Sequence, residues 1–196
     1  MQPLIKCSSI TPLGTLNVIV EGKTLVAAGF TTFAQLRGKL SSADHERQLV
    51  ASKDSIWVAE IIQDYFDGDI TAFNGISVRQ PGSTFSQSAW RAMRKIPAGR
   101  VISYATLAAK AGSPAAVRAA GTACGRNAIA PFIPCHRIVR SDGTLGNYGY
   151  GTSRKVGCCA MRALLINCAA GLRVLSYLHE EHCCENQRTT EGCFNR

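Results

Sequence analysis

No stretch of the chain approaches the ~20 consecutive apolar residues that a membrane span needs. The opening residues, Met1-Gln2-Pro3-Leu4-Ile5-Lys6, lack the charged and then long apolar pattern of a secretory leader. Together these absences predict no membrane association and a cytoplasmic protein, or a nuclear one if the source is eukaryotic. Acidic residues are scarce in one region. Between residues 84 and 155 the only acid is Asp142, against eleven Lys and Arg. Residues 1–83 hold seven basic and eight acidic residues and residues 156–196 four of each, so the net charge of +9 arises wholly in the middle. A one-signed surface of that kind attracts a phosphate backbone. A generic basic face that aids solubility has the same composition, so charge alone does not decide. A regular cysteine framework is also missing. Of nine cysteines, six crowd residues 158–193, while Cys7, Cys124 and Cys135 are scattered. This is not the spread of a secreted disulfide scaffold, and free thiols are expected.

What is present is enough for a folded core: 196 residues, 46% of them hydrophobic. That length suits one large domain or two small ones. Residues 1–80 read as a small scaffold of sheet and helix. Residues 15–20 and 25–30 suit paired strands around a Glu21-Gly22-Lys23 turn, and residues 56–66 carry apolar side chains at helical spacing before Asp67-Gly68. Arg79-Gln80-Pro81-Gly82-Ser83 has the composition of a linker. Residues 84–170 form the second unit. A helix is expected over 86–95, a short extended piece at 101–103, and a helix over 104–111 capped by Ser103. A second helix is expected over 115–125, with Ser113 as cap and Pro114 in its first turn. Two short helices joined by a glycine turn make a helix-turn-helix. The second is nearly bare: Ala119, Ala120 and Gly121 follow Arg118, the one long charged side chain in its body. Small residues permit close packing on another helix, or close approach to DNA. Without long polar side chains such a helix suits the minor groove, where sequence is read poorly, better than the major groove. Residues 171–196 read as a cysteine-rich, partly disordered tail.

The chemistry concentrates in Pro134-Cys135-His136-Arg137-Ile138-Val139, where an apolar approach leads Cys-His-Arg into a buried strand. A thiol attacks as the thiolate, and neighbouring His and Arg favour that form. By itself such a pair is more often a core cysteine beside a surface histidine.

Ile133-Pro134-Cys135-His136-Arg137-Ile138-Val139 resembles the active-site motif of the methylated-DNA–protein-cysteine methyltransferases, or alkylguanine-DNA alkyltransferases. Residues 96–104, Arg118-Ala119-Ala120-Gly121, Asn127 and residues 143–149 agree with that family in order and spacing. The resemblance is close over residues 84–155 and loose before them. It implies an α+β (α/β) fold: a ribonuclease-H-like N-terminal domain and a winged helix-turn-helix C-terminal one. It implies a monomer that binds double-stranded DNA through the minor groove and flips out a guanine alkylated at O6, since an atom inside the stack is out of reach. The alkyl group passes irreversibly, one per molecule, to Cys135; O4-alkylthymine is a second candidate substrate. His136 would draw the thiol proton through a water. Tyr104 would hydrogen-bond the guanine and help it leave. Arg118 would fill the gap in the duplex, with Ala119, Ala120 and Gly121 against the DNA and Asn127 bracing the turn to the active-site strand. Asn147, Tyr148 and Gly149 would wall the pocket, the Gly149 N–H facing O6, and the carbonyls of Cys135 and Ile138 would accept from the guanine amino group. No metal and no organic cofactor is implied, and a zinc site near the N-terminus is not expected where Cys7 stands alone.

The pattern departs from the family after Lys155. Relatives continue with a helix bearing a leucine pair and then a glutamate that orients the histidine. Here residues 156–161 read as an insertion before Leu164-Leu165, and Ile166-Asn167-Cys168 supplies no acid. Weakened rather than absent transfer is expected. The rivals are an impaired or non-enzymatic binder of alkylated DNA, a winged-helix regulator and a cysteine hydrolase. His179, His182, Cys183 and Cys184 match no standard zinc spacing.

Overall fold

The computed structural model describes residues 2–160, and the expectations for residues 161–196, including the tail, Leu164-Leu165 and the missing acid, lie outside it. Among the described residues no helix is long and apolar enough to cross a membrane. The molecule is a mixed α+β structure built on a five-stranded mixed sheet.

Strands β1 (Leu4–Thr11), β2 (Gly14–Glu21) and β3 (Thr24–Gly29) form an antiparallel meander. The turn between β2 and β3 works because Gly22 adopts φ +56°, the left-handed conformation a two-residue hairpin loop calls for. Two short strands flank the meander in parallel, β4 (Leu49–Ala51) on β1 and β5 (Ser77–Val78) on β3. Alternation along β2 sends Leu16, Val18 and Val20 to one face and Ile19 to the other. Ile19 packs with Leu36 and Leu40, from α1 (Phe33–Arg37) and the turn after it. A four-residue helix, α2 (Ser42–His45), follows; its Asp44 binds Arg47 at 2.9 Å and Arg79 at 2.6 Å.

The opposite face of the sheet takes α3 (Ile56–Phe66) and the C-terminal half. The apolar spacing of α3 was read correctly, and so was its end at Asp67. Helix α4 (Thr84–Arg94) starts at Ser83, whose hydroxyl accepts from the Ser86 N–H. Its Trp90 donates to the Ala123 carbonyl and packs against Gly82, where a Cβ would meet the ring at 2.4 Å. One core cluster joins Val18 and Val58 to Trp90, Met93, Ala123 and Ile138, so the two halves share an interior.

Strand β6 (Ile102–Ser103) leads into α5 (Tyr104–Lys110), with the Ser103 hydroxyl capping it as expected. The next helix, α6 (Val117–Arg126), begins two residues later than the sequence suggests. Ser113 does not cap it; the Ser113 carbonyl accepts from the Ala116 N–H at 2.9 Å, closing a separate turn around Pro114, and Ala116 at φ −86°, ψ 39° lies outside the helix. The Cys-His-Arg motif is a single 3-10 turn, Cys135–Arg137, and only then does the buried strand β7 (Ile138–Val139) follow, parallel to β6. The last described element, α7 (Thr152–Ala160), runs unbroken through residues 156–159.

Candidate functional site

The segment that carries Cys135 is fastened to the N-terminal sheet. The Ala28 N–H donates to the Ala128 carbonyl at 2.7 Å, and the Ala130 N–H donates to the Ala28 carbonyl at 3.1 Å, so residues 128–130 lie beside β3. The Ala130-Pro131 peptide bond there is cis. Gln80, assigned to a linker by composition, is buried: its Oε1 accepts from the Ala128 N–H at 2.6 Å and its Nε2 donates to Asn127 at 3.4 Å.

Asn127 is the joint between α6 and the motif. Its Oδ1 accepts from the Ile129 N–H at 3.0 Å; its Nδ2 donates to the Ile133 carbonyl at 2.8 Å and to Cys135 Sγ at 3.2 Å. The expected bracing role thus has a full set of partners, and Asn127 also touches the sulfur itself. The β6–β7 pairing sets Ile102 opposite Ile138 and so delivers Tyr104, the next residue after β6, to the same place.

Cys135 lies in the wall of a cavity of about 450 Å³. Six of the expected residues meet there: Tyr104, Gly121, Cys135, Asn147, Tyr148 and Gly149. Four others line it that the sequence reading missed, namely Cys124, Gly125, Arg140 and Gly146. Cys124 stands three residues after Gly121 on α6, a spacing that puts both on one helix face and could have signalled it. The loop passes close over the phenol; a Cβ on Gly146, at φ +63°, would lie 3.1 Å from the Tyr104 hydroxyl. Arg118 and Ala119 are exposed on α6. Ala120 is not: it is 0% exposed and packed in the core, so its expected place against DNA is corrected. It falls on the inward face of a helix whose outward face carries Arg118 and Ala119. Ile138 is buried outside the cavity wall, and its carbonyl accepts from Lys155 Nζ at 2.8 Å. A carbonyl has two lone pairs, so a second donor can still share it.

Lys155 is the unexpected component. It is 0% exposed, and its ammonium donates to the carbonyls of Ile138 and Leu145. Burial pushes Lys155 down, while the thiols of Cys159, Cys135 and Cys124 act to raise it. Burial pushes the Cys135 thiol up; the Asn127 amide, the Lys155 charge, the backbone and the Lys39 charge pull it back. His136 is fully buried, and neither ring nitrogen has a hydrogen-bond partner among the described residues. Burial first, then Arg137 and Lys155, hold it well below the ordinary histidine value. The imidazole is therefore held in its neutral form. Cys159, on α7, donates from Sγ to the His136 carbonyl at 3.3 Å, so α7 braces the turn from below.

Residues 84–162 match the family described as 6-O-methylguanine DNA methyltransferase, DNA binding domain. The chain is 32% identical over 161 residues to the methylated-DNA–protein-cysteine methyltransferase of Salmonella typhimurium, covering 79% of this chain and 93% of the relative. The structure resembles the O6-methylguanine methyltransferase of Mycobacterium tuberculosis with a TM-score of 0.68 at 27% identity, over 88% of this chain and 99% of that one. The same protein solved in complex with DNA gives 0.68 at 26% identity, over 83% and 94%. The chain therefore belongs to the methylated-DNA–protein-cysteine methyltransferases: it is a DNA-repair transferase whose acceptor is a protein cysteine.

Proposed function

We propose that the acceptor is Cys135 and that the chain removes an alkyl group from O6 of guanine in DNA, irreversibly and once per molecule. The observation that carries this is the placement of the Cys135 sulfur: in the wall of a cavity and 3.2 Å from an amide donor, with the buried His136 next to it in the chain. The sulfur attacks the alkyl carbon; a C–S bond forms as the C–O6 bond breaks, and the electron pair goes to the guanine. The thiol proton passes to His136 through a water. Tyr104, at the cavity wall, donates to the departing base. The thioether has no activated carbonyl for water to attack, so the site stays alkylated. No cofactor is needed.

The substrate would be a flipped base in double-stranded DNA approached from the minor groove. Arg118, exposed on a helix whose body otherwise carries small side chains, suits the gap the base leaves. We read the two halves as a ribonuclease-H-like sheet unit and a winged helix-turn-helix, acting as a cytoplasmic or nuclear monomer, with O4-alkylthymine as a further substrate to be tried. The test is mass spectrometry after incubation with duplex DNA carrying O6-methylguanine. A gain of one methyl group on the Cys135 peptide, saturating at one per molecule and absent in Cys135→Ala, is expected. Binding with no mass gain would point to a lesion binder, which the intact Cys135 site disfavours; repeated turnover would point to a different chemistry.

A further inference from the structure

The N-terminal half reaches the transfer site through a side chain that the sequence reading passed over. Lys39 lies between α1 and α2, half-buried. Its Nζ donates to the Tyr150 hydroxyl at 3.4 Å and stands 5.3 Å from the centre of that ring. Tyr150 ends the loop that carries Asn147, Tyr148 and Gly149. Its ring meets Tyr148 edge to face at 5.5 Å and Phe30 of the sheet at 6.1 Å. The hydroxyl fills the space over Gly29, where a Cβ would come within 2.2 Å of it. Arg154 closes the other side, donating to the Tyr150 carbonyl at 3.1 Å and to the Leu13 carbonyl at 3.0 Å. Whatever fixes Tyr150 thereby fixes Tyr148, a wall of the cavity.

Lys39 has no acidic partner: among the described residues the ion pairs are made by His45, Arg47 and Arg79. A half-buried cation without a counter-charge acts over a longer range than a solvated one. Cys135 feels the Asn127 amide and the Lys155 ammonium, with the neutral side chains of Cys124, Tyr104, Tyr148, Tyr150 and Cys158 within electrostatic reach and His136 next to it on its own turn. Lys155 and Lys39 are the cations among its leading influences, and the coupling is mutual, since Cys135 also acts on Lys39.

We propose that Lys39 is a positioning residue of the transfer reaction: it pins Tyr150, and through it the Tyr148 wall of the pocket, and holds a positive charge of the N-terminal half within electrostatic reach of Cys135. The proposal rests on Cys135 being the acceptor. It is tested on the full chain by following alkylation of the Cys135 peptide by iodoacetamide against pH, alongside single-turnover transfer from O6-methylguanine DNA. Lys39→Met should move the Cys135 midpoint to higher pH and slow alkylation at neutral pH about three- to tenfold, a midpoint shift of about half to one unit. Lys39→Arg keeps the charge and should behave as the native chain. A Lys39→Met protein with an unmoved midpoint would overturn the proposal, as would Lys39→Arg losing as much as Lys39→Met. The iodoacetamide titration uses no DNA. A shifted midpoint in a chain that fails to take methyl groups would count against the substrate, not against Lys39.

Discussion

Replacing Asn127 by alanine removes one side chain and leaves several buried groups without partners. The Ile129 N–H loses its acceptor, Gln80 Nε2 loses the Asn127 oxygen and Cys135 Sγ loses its donor, while the Ile133 carbonyl keeps the Cys135 N–H at 2.8 Å. Asn127 is 2% exposed, so water does not readily replace it. The stranded Ile129 N–H costs about 1–3 kcal/mol, which sets the scale of the loss. Against a typical stability of about 5–15 kcal/mol, that is a large share. The effect on reactivity is separable. The amide favours the ionised sulfur, and a hydrogen bond to a charged group is worth about 1.5–3 kcal/mol, so the thiol should titrate higher and transfer should slow about ten- to a hundredfold at neutral pH. Asn127→Asp sharpens the case. It keeps an acceptor for Ile129 but points acceptors at the Ile133 carbonyl and the sulfur, so it should lose at least as much rate. Urea unfolding read at unchanged slope gives the stability term, and single-turnover transfer gives the rate. Loss of under about 1 kcal/mol together with native transfer by Asn127→Ala would refute the assignment of Asn127 as the joint of the site.

Asp44 supplies a pH test of the N-terminal half. Its bond to Arg79 above all, with Ser41 and Arg47, holds the carboxyl below its ordinary value. A depressed carboxylate contributes stability above its unfolded value of about 3.9, and that contribution is lost as pH falls through the lower folded value. Asp44→Asn should therefore cost about 2–3 kcal/mol at neutral pH by thermal or urea unfolding, with part of the network discounted because the Arg79 side chain is 44% exposed. The gap to the native chain should close in acid; a gap of constant size would disprove the linkage. At the transfer site, His136 is held neutral far below the usual histidine range, so the rate should rise with pH as Cys135 ionises and show no inflection near 6.5. With no third group holding its ring among the described residues, transfer should also be severalfold slower than in a relative with the glutamate, and equal rates would show that His136 needs no such partner.

Local signals made much of the fold readable. The β2–β3 hairpin, α3 with its stop at Asp67, and α5 with its Ser103 cap each announce themselves within about ten residues of sequence. Strand β1 did not, because its outward positions are polar and even Ile10 is 88% exposed, which blurs the alternation. Strands β4 and β5, of three and two residues, and helices α1 and α2, of five and four, are too short for any period. The motif residues Cys135, Tyr104 and Asn127 were legible only as a set, through the family resemblance. Gln80 and Lys39 were not legible at all. Both act on segments distant in sequence, 47 residues away for Gln80 on Asn127 and 111 for Lys39 on Tyr150, and local composition holds no trace of such a contact. Lys155 leaves a faint trace, a lysine followed by Val156, Cys158 and Cys159 on a helix. Only the two carbonyls it meets explain how a lysine is wholly buried.

The charges around the site act unequally on the two groups that would exchange a proton in the proposed transfer. Lys155 favours the thiolate of Cys135 and at the same time disfavours the imidazolium of His136. Burial opposes both ionised forms. A resting thiolate–imidazolium pair is thus favoured at one end only, and a proton drawn onto His136 is in an unfavourable place. In the proposed transfer it would be pushed onward, to the departing guanine or to solvent. A hydrolase with this arrangement would be badly served, because it must give the proton back to its nucleophile at the end of every cycle. On the proposed one-for-one transfer that demand vanishes: the product sulfur carries carbon and takes no proton back. A positive cluster that favours ionised sulfur while rejecting a lasting imidazolium is suited to a reaction that runs once.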